Sequence, residues 1–119
     1  MALKGLSFTP TGAVVAAATT SLPREPGGER NWDSRYVFLR DAAFTLWAMY
    51  SLDFDWEADD FFYFLADQAE HDGSLHNIYP VGGDEGQLEE RVLDHLTGYD
   101  GARPVRVGNA AYQYKQHDV

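Results

Sequence analysis

The fold expected for this chain depends most on residues 31–47, which read NWDSRYVFLRDAAFTLW. The first part of this stretch contains three aromatic residues, Trp32, Tyr36 and Phe38. The pair Arg40–Asp41 follows and leads into a part where apolar residues recur at helical spacing. That spacing predicts a helix with one buried face. The residues expected on this face are Phe44, Trp47, Ala48 and Leu52. We expect the helix to begin at Asp41, because an aspartate side chain can cap the backbone N–H groups of a first turn.

The residues that follow predict a second helix, from about Trp56 to about His71, which ends at Gly73. Its expected buried residues are Phe61, Phe62, Leu65 and Ala69. A third helix is expected to begin near Asn109. These elements predict an all-α fold, although periodicity alone does not select one helical architecture.

The segments before and between the helices contain much of the glycine, proline and charge. Residues Met1 to Phe8 are expected to form the tail of a helix, and Ala13 to Thr20 a short, buried, extended segment. Ser21 to Arg30 predicts a surface loop. Gly73 to Gly108 predicts a long loop, and loops of that length in a compact domain usually carry function or are disordered.

Size and charge narrow the class of protein. A chain of 119 residues with 45% hydrophobic residues can bury one core, so residues 1–119 are expected to form a single domain. The 9 Lys and Arg residues against 19 Asp and Glu residues give a net charge of −10, which disfavours nucleic acid and membrane partners. The absence of cysteine excludes disulfides and fits a cytoplasmic protein. A secretory signal is not expected, because Thr9 to Gly12 interrupts the apolar residues near the start.

Other chemical motifs are weak. The acidic run from Asp53 to Asp60 lacks the glycine and glutamate that an EF-hand needs at its sixth and twelfth positions, where Ala58 and Phe64 stand. The 4 histidines are not spaced as metal ligands on a helix. Adjacent carboxylates such as Glu89–Glu90 rarely face one pocket as an acid–base pair. We therefore expect neither a metal ion nor a cofactor.

Three segments resemble glycoside hydrolase family 15, the group of glucoamylases and bacterial trehalase-like enzymes. They are residues 10–23, PTGAVVAAATTSLP, residues 31–47, and residues 93–111, LDHLTGYDGARPVRVGNAA. The resemblance implies a partial (α/α)6 toroid with long loops, in which this chain forms about the first third of six helical hairpins around a pocket. It also implies inverting hydrolysis of an α-glucosidic bond by two glutamates roughly 6.5–9.5 Å apart. Both glutamates occupy later family positions than Val119, so no catalytic residue is expected here and the chain alone should be inactive.

The resemblance also implies a sugar-binding role for Arg40 and Asp41, which match the family's Arg-Asp pair in the deepest glucose subsite. A carboxylate accepts from two hydroxyls, and a guanidinium presents a fixed fork of donors. The alternative is that Asp41 only caps the helix and Arg40 is its ion-pair neighbour. Three residues depart from the family pattern, namely Ser34, Val37 and Phe38. Phe38 keeps an apolar stacking face, but Ser34 and Phe38 together indicate either altered substrate contacts or lost activity.

Trp32, Tyr36 and Arg103 complete the expected site. Trp32 and Tyr36 could stack on sugar rings, but aromatics in such a run are also common in a barrel core. Arg103 could border the pocket or could hold its own loop by hydrogen bonds to carbonyls. The expected partner is an α-glucoside or oligosaccharide substrate, with starch-type glucan and trehalose both left open. The alternative function is a non-catalytic oligomer or sugar-binding fragment, because an incomplete toroid exposes apolar helix faces that a homo-oligomer would bury.

Overall fold

The computed structural model describes residues 2–82 and 88–108. Three helices lie in this part of the chain: the short α1 at Ala2–Gly5, α2 at Leu39–Ser51 and α3 at Asp55–Asp72. A single 3-10 turn follows at Tyr99–Gly101. Six short strands form three two-stranded antiparallel sheets. The main elements are therefore helical, as predicted. The three small sheets were not predicted.

Each sheet is a pair of two-residue strands. The pairs are β1 at Ser7–Phe8 with β2 at Ala13–Val14, β3 at Val37–Phe38 with β4 at Ile78–Tyr79, and β5 at Arg91–Val92 with β6 at Arg106–Val107. Strand β3 runs directly into α2, so its pairing with β4 fixes the point at which that helix begins. The long loop predicted from Gly73 to Gly108 therefore contains β4, β5 and β6, which tie it to the rest of the molecule.

Helix α2 begins two residues earlier than predicted. Its N-cap residue is Phe38, which has an extended backbone, and no side chain caps the helix. Phe38 pairs with Ile78 across the sheet, and the backbone N–H of Leu39 donates to the carbonyl of Asn77 at 2.9 Å. Asp41 is the third helical residue, so the prediction that its carboxylate caps the helix was wrong. Strand pairing, rather than a side-chain cap, holds the chain extended up to Leu39.

The buried face of α2 differs from the predicted one. Ala42 and Met49 are buried, and Leu46 packs against the core. The large residues of the predicted face are exposed: Phe44 by 69%, Trp47 by 72% and Leu52 by 55%. The helical period was correct, but a hydrophobic repeat does not say which side the neighbouring elements cover. Helix α3 covers the side of α2 that carries Met49, and nothing in the described part of the chain covers the other.

Helix α3 has nearly the predicted extent and ends at Gly73, whose φ of 69° provides the left-handed C-cap. Phe61 is buried and Leu65 packs against the core, as predicted, and Ala69 is half-buried. Phe62 is 55% exposed, so its predicted burial was wrong. The stacked rings of Phe61 and Phe64, with centroids 6.4 Å apart, form the centre of the core. The core also contains Ala13, Val14, Val37, Ala42, Met49, Ala58 and Tyr79.

The amino-terminal segment is less helical than predicted. Helix α1 ends at Gly5, and the carbonyl of Phe8 accepts from the backbone N–H groups of Thr11 and Gly12. This tight turn makes Ser7–Phe8 a strand rather than part of a helix. Strand β2 is buried as predicted, although the extended segment becomes exposed at Ala18 and Thr19.

The remaining predictions on secondary structure have simple outcomes. Ser21 to Arg30 contains neither helix nor strand, as predicted. The third helix predicted near Asn109 lies outside the described residues. None of α1, α2 and α3 combines the length and the apolar character that crossing a bilayer requires.

Candidate functional site

The Arg40–Asp41 pair lies in the first turn of α2, where the helix meets strand β3. Its side chains are 63% and 44% exposed, and 3.9 Å separates Nη2 of Arg40 from Oδ2 of Asp41. An exposed pair at that distance stabilises a fold little. Since Asp41 caps no backbone N–H group, its carboxylate retains hydrogen-bonding capacity for a ligand. Its negative charge also fits the positive end of the helix dipole.

Tyr36 and Phe38 precede this pair on a segment that is held in place by backbone hydrogen bonds. The carbonyls of Tyr36 and Ser34 accept from the N–H groups of Ala16 and Ala17, each at 3.0 Å. Tyr36 and Phe38 are both half-buried. Burial, and then the charge of Asp33, raise the pKa of the Tyr36 phenol, which therefore stays protonated and able to donate at neutral pH.

Trp32 lies on the same segment, and its indole packs against Arg106, which belongs to residues 93–111; we call these residues the second signature. The centre of the Arg106 guanidinium stands 4.8 Å from the centroid of the Trp32 ring. Trp32 remains 38% exposed, so it is not a core residue of the described chain. A cation over an aromatic face at this distance is an attractive contact.

Arg103 occupies a different place. It is exposed, and its Nη2 lies 3.4 Å from Oγ1 of Thr97, a long hydrogen bond. Together with Glu29 and Asp94 it borders a cavity of about 210 Å³. Within residues 2–82 and 88–108, no hydrogen bond or ion pair links Arg103 to Arg40 or Asp41. The structure thus joins Arg40 with Asp41 and Trp32 with Arg106, but leaves Arg103 apart from both.

Asp33 is a fully buried carboxylate that sequence reasoning missed. Its oxygens accept from the backbone N–H of Arg35 at 3.1 Å, from Nε and Nη2 of Arg35 at 2.9 and 2.8 Å, and from the backbone N–H of Gly108 at 3.0 Å. Burial alone would raise the pKa of Asp33, but the hydrogen bonds from Arg35 and Gly108 outweigh it and hold the pKa below its usual value. The carboxylate is therefore ionised at neutral pH and ties two distant segments together.

Arg106 also connects the segment that carries Asn31 and Asp33 with the segment that ends at Gly108. Its Nη1 donates to Oε1 of Glu90 at 3.1 Å, and its Nη2 donates to Oδ1 of Asn31 at 3.1 Å. The Nδ2 of Asn31, which is fully buried, donates to the carbonyl of Pro104 at 2.6 Å. The backbone N–H of Arg106 donates to Oγ of Ser21 at 2.7 Å. We call Ser21, Asn31, Asp33, Arg35, Glu90, Arg106 and Gly108 the polar joint.

Burial alternates along the segment of the polar joint that carries Asn31 and Asp33. Along residues 31–33, Asn31 and Asp33 are buried while Trp32 between them is exposed. Alternating side chains of an extended segment point to opposite sides. An extended reading of the segment would have put Asn31 and Asp33 on one side and Trp32 on the other, but hydropathy would have chosen the Trp32 side as the buried one.

A further cavity lies away from the predicted site, and no group of metal ligands is found in the described residues. A cavity of about 520 Å³ lies along α3, between Tyr63, Asp67 and Glu70 and the segments that carry Thr11 and Gly82. Within residues 2–82 and 88–108, no three His, Asp or Glu side chains are grouped as metal ligands. The Arg40–Asp41 pair and the Trp32–Arg106 contact remain the features most suited to a polar ligand with apolar ring faces.

Comparison with known proteins gives consistent matches along the whole chain. Residues 1–119 match the profile described as "Glycosyl hydrolases family 15". The protein named trehalase from Mycolicibacterium smegmatis is 54% identical over 123 residues, which cover 100% of this chain and 18% of that relative. The trehalase of Mycobacterium tuberculosis gives the same identity and the same coverage.

A more distant relative supports the same picture. The protein named trehalase from Thermoplasma volcanium is 45% identical over 118 residues, which cover 99% of this chain and 19% of that relative. This chain thus spans about a fifth of the length of the relatives that it matches. No solved structure matched the chain significantly.

Proposed function

This chain belongs to glycosyl hydrolase family 15, whose profile it matches along residues 1–119, and from that premise we propose that it contributes part of the glucose pocket of a trehalase. The reaction is the inverting hydrolysis of the α-glucosidic bond of trehalose. Trehalose is preferred to starch-type glucan because the similar proteins from Mycolicibacterium, Mycobacterium and Thermoplasma are named trehalases. Since the chain spans about a fifth of their length, the activity is proposed for a catalytic domain that contains it.

The observation that carries this proposal is the position of Asp41. It stands on the exposed first turn of α2, beside Arg40, and caps no backbone group. In this arrangement the carboxylate accepts from glucose hydroxyls, and the guanidinium of Arg40 donates to them. The half-buried Phe38 and Tyr36 and the exposed Trp32 supply aromatic faces for the apolar C–H faces of the sugar. Arg103 is the weakest member of the proposed site, because it lies apart from the others.

The rest of the mechanism follows from the family. The general acid and the general base are two glutamates supplied by chain beyond these 119 residues, so residues 1–119 bind substrate but do not perform the proton transfers. In the same proposal, α2 and α3 belong to a partial (α/α)6 toroid. Its remaining helices cover the exposed aromatic side of this pair.

A chimaeric enzyme tests the proposal. The 119 residues would replace the matching segment of the Mycolicibacterium smegmatis trehalase, and hydrolysis of trehalose and of maltose would be measured. We expect turnover of trehalose with kcat/KM near that of the parent enzyme. An inactive chimaera that folds cooperatively would contradict the proposed function.

Asp41→Asn in the active chimaera tests the role of the carboxylate. Because Asp41 caps nothing, the free energy of unfolding should hardly change. Loss of a charged hydrogen bond worth about 1.5–3 kcal/mol should lower kcat/KM for trehalose by roughly tenfold to more than a hundredfold. Glu25→Gln, on the exposed loop, is the matched control and should leave kcat/KM unchanged. If Asp41→Asn hydrolysed trehalose like the control, Asp41 would lose its place in the site.

One observation favours a second candidate function, that of a non-catalytic oligomer. Phe44, Trp47, Trp56 and Tyr63 are each more than two-thirds exposed on α2 and α3, and an apolar surface of this kind favours association. Light scattering of the purified chain would separate the two functions. A monomer with cooperative unfolding would exclude obligate association, and a defined dimer or tetramer would favour it.

A further inference from the structure

We propose that Arg106 is a positioning residue for Trp32: its guanidinium supports one face of the indole, so that the opposite face forms a fixed stacking surface for a pyranose ring of the substrate. The inference rests on the proposed function, because it assigns a ligand to the same site. It adds a residue from the second signature that does not itself touch the sugar. Arg106 acts through Trp32.

The guanidinium of Arg106 is held at several points. Nη1 donates to Glu90 at 3.1 Å, Nη2 donates to Oδ1 of Asn31 at 3.1 Å, and the same Nη2 lies 3.4 Å from the carbonyl of Glu29. Its side chain is only 12% exposed. A planar group held at its edge by these acceptors has a fixed position, and its central carbon stands over the Trp32 ring at 4.8 Å from the centroid.

Trp32 is fixed through its backbone as well. Its carbonyl accepts from the N–H of Ser21 at 3.1 Å, and its neighbour Asp33 pairs with Thr20 in an isolated bridge. The preceding residue, Asn31, is anchored on the carbonyl of Pro104. The indole therefore has a fixed base and one supported face, while 38% of the residue remains exposed. Ordering of this surface before the ligand arrives lowers the entropic cost of binding.

Lysine is the informative replacement for Arg106. It keeps the positive charge next to Glu90, but it has no planar face and cannot bond Glu90 and Asn31 from the two arms of one fork. Arg106→Lys should therefore loosen the indole without removing the charge. Arg91→Lys is the matched control, because Arg91 lies on the neighbouring strand β5 with an exposed side chain.

Fluorescence tests the positioning directly. The chain has 3 tryptophans, and replacing Trp47 and Trp56 by phenylalanine leaves Trp32 as the only indole. In that background Arg106→Lys should raise acrylamide quenching of Trp32 by about twofold, because the supported face becomes accessible. Arg91→Lys should not change it. Equal quenching in the two variants would overturn the proposal.

Kinetics of the trehalase chimaera test the link to the sugar. Arg106→Lys should raise KM for trehalose about three- to tenfold and leave kcat within about twofold, as expected when ground-state binding is weakened. If Arg106 acts through Trp32, the same change should have no further effect in a Trp32→Ala background. A KM effect that persists without Trp32 would overturn the proposal.

Two further outcomes are decisive. Should the lysine variant fail to fold, Trp32→Phe and Trp32→Ala replace it. The phenylalanine variant should keep a KM near that of the parent and the alanine variant should not, and equal KM values in all three would overturn the stacking role. An unsubstituted chimaera without activity on trehalose would contradict the proposed function, while the quenching measurement would still decide whether Arg106 positions Trp32.

Discussion

The helix pair α2–α3 exposes large apolar side chains, whereas the polar joint buries polar and charged side chains. On the helix pair, large apolar residues stand in solvent: Trp56 is 86% exposed and Trp47 is 72% exposed. In the polar joint, Asn31 and Asp33 are fully buried, and each is hydrogen-bonded to a partner far along the chain. In these two regions, burial follows the availability of partners more closely than it follows hydropathy.

The two regions differ in whether the described chain supplies the partners of their side chains. The polar joint pairs the buried side chains of Asn31 and Asp33 within the described chain, and among its side-chain groups only Nε of Arg106 is buried there without a hydrogen-bond partner. The helix pair covers one face with its own core and leaves aromatic side chains on the other. That second face has the composition of an interior and the exposure of a surface, which is the combination expected where further protein packs.

The largest expected effect compares two neighbouring phenylalanines on α3. Phe61 is fully buried and Phe62 is 55% exposed. Phe61→Ala should lower the free energy of unfolding by about 3–5 kcal/mol, because it leaves a cavity in the core. Phe62→Ala should change it by no more than about 0.5 kcal/mol. Urea unfolding of the purified chain measures both, and a large loss at Phe62 would mean that its face is covered in solution.

A smaller effect compares two left-handed glycines, one from each region. Gly108, with φ of 75°, donates to Asp33, and a Cβ at this position would overlap the backbone carbonyl of Glu89. Gly108→Ala should therefore destabilise the chain by about 2–4 kcal/mol, from steric overlap and backbone strain together. Gly73, with φ of 69°, has no neighbouring atom within 4 Å of such a Cβ. Gly73→Ala should cost about 1 kcal/mol, and equal losses at the two glycines would show that the polar joint is looser than described.

The last comparison concerns how the stability that Asp33 contributes depends on pH. Hydrogen bonds hold its pKa in the folded chain below the usual value of 3.8. The resulting stability is fully present above the pKa of the unfolded chain and is lost as the pH falls through the lower pKa of the folded chain. The difference in free energy of unfolding between the parent and Asp33→Asn should thus be constant from pH 7 to about 5 and should shrink in more acidic solution. A difference that grew on acidification would contradict the lowered pKa.

The sequence predicted the helices well because their signals are local. The extent of α3 was correct to within about one residue at each end, since the turn after Leu52 and the glycine at position 73 are read from neighbouring residues. The start of α2 was wrong by two residues, because β3 and β4 pair residues about 40 positions apart. A local cap signal at Asp41 could not reveal that pairing.

The residues of the candidate site stay a prediction from a short motif, whereas the buried hydrogen bonds that hold the neighbouring segment were not predicted. Arg40 and Asp41 came from a short motif in consecutive residues, and the structure gives them the exposed first turn of a helix. The role of Asp33 depends on the backbone of Gly108, which is 75 residues away. No local pattern in the sequence encodes such a contact, because the alternation along residues 31–33 does not say which side is buried.

The distance along the chain between the partners of Arg106 also sets the order in which contacts can form during translation. Helices α2 and α3 and all members of their core lie before residue 80, whereas Arg106 meets Ser21 and Asn31 across separations of 85 and 75 residues. At about 5–20 residues per second, a ribosome needs roughly 1.5–6 seconds to extend the chain from Tyr79 to Gly108. During that interval the nascent helices already have their apolar partners and Asp33 already has Arg35, whereas Asn31 lacks Pro104 and Arg106 and Asp33 lacks the N–H of Gly108.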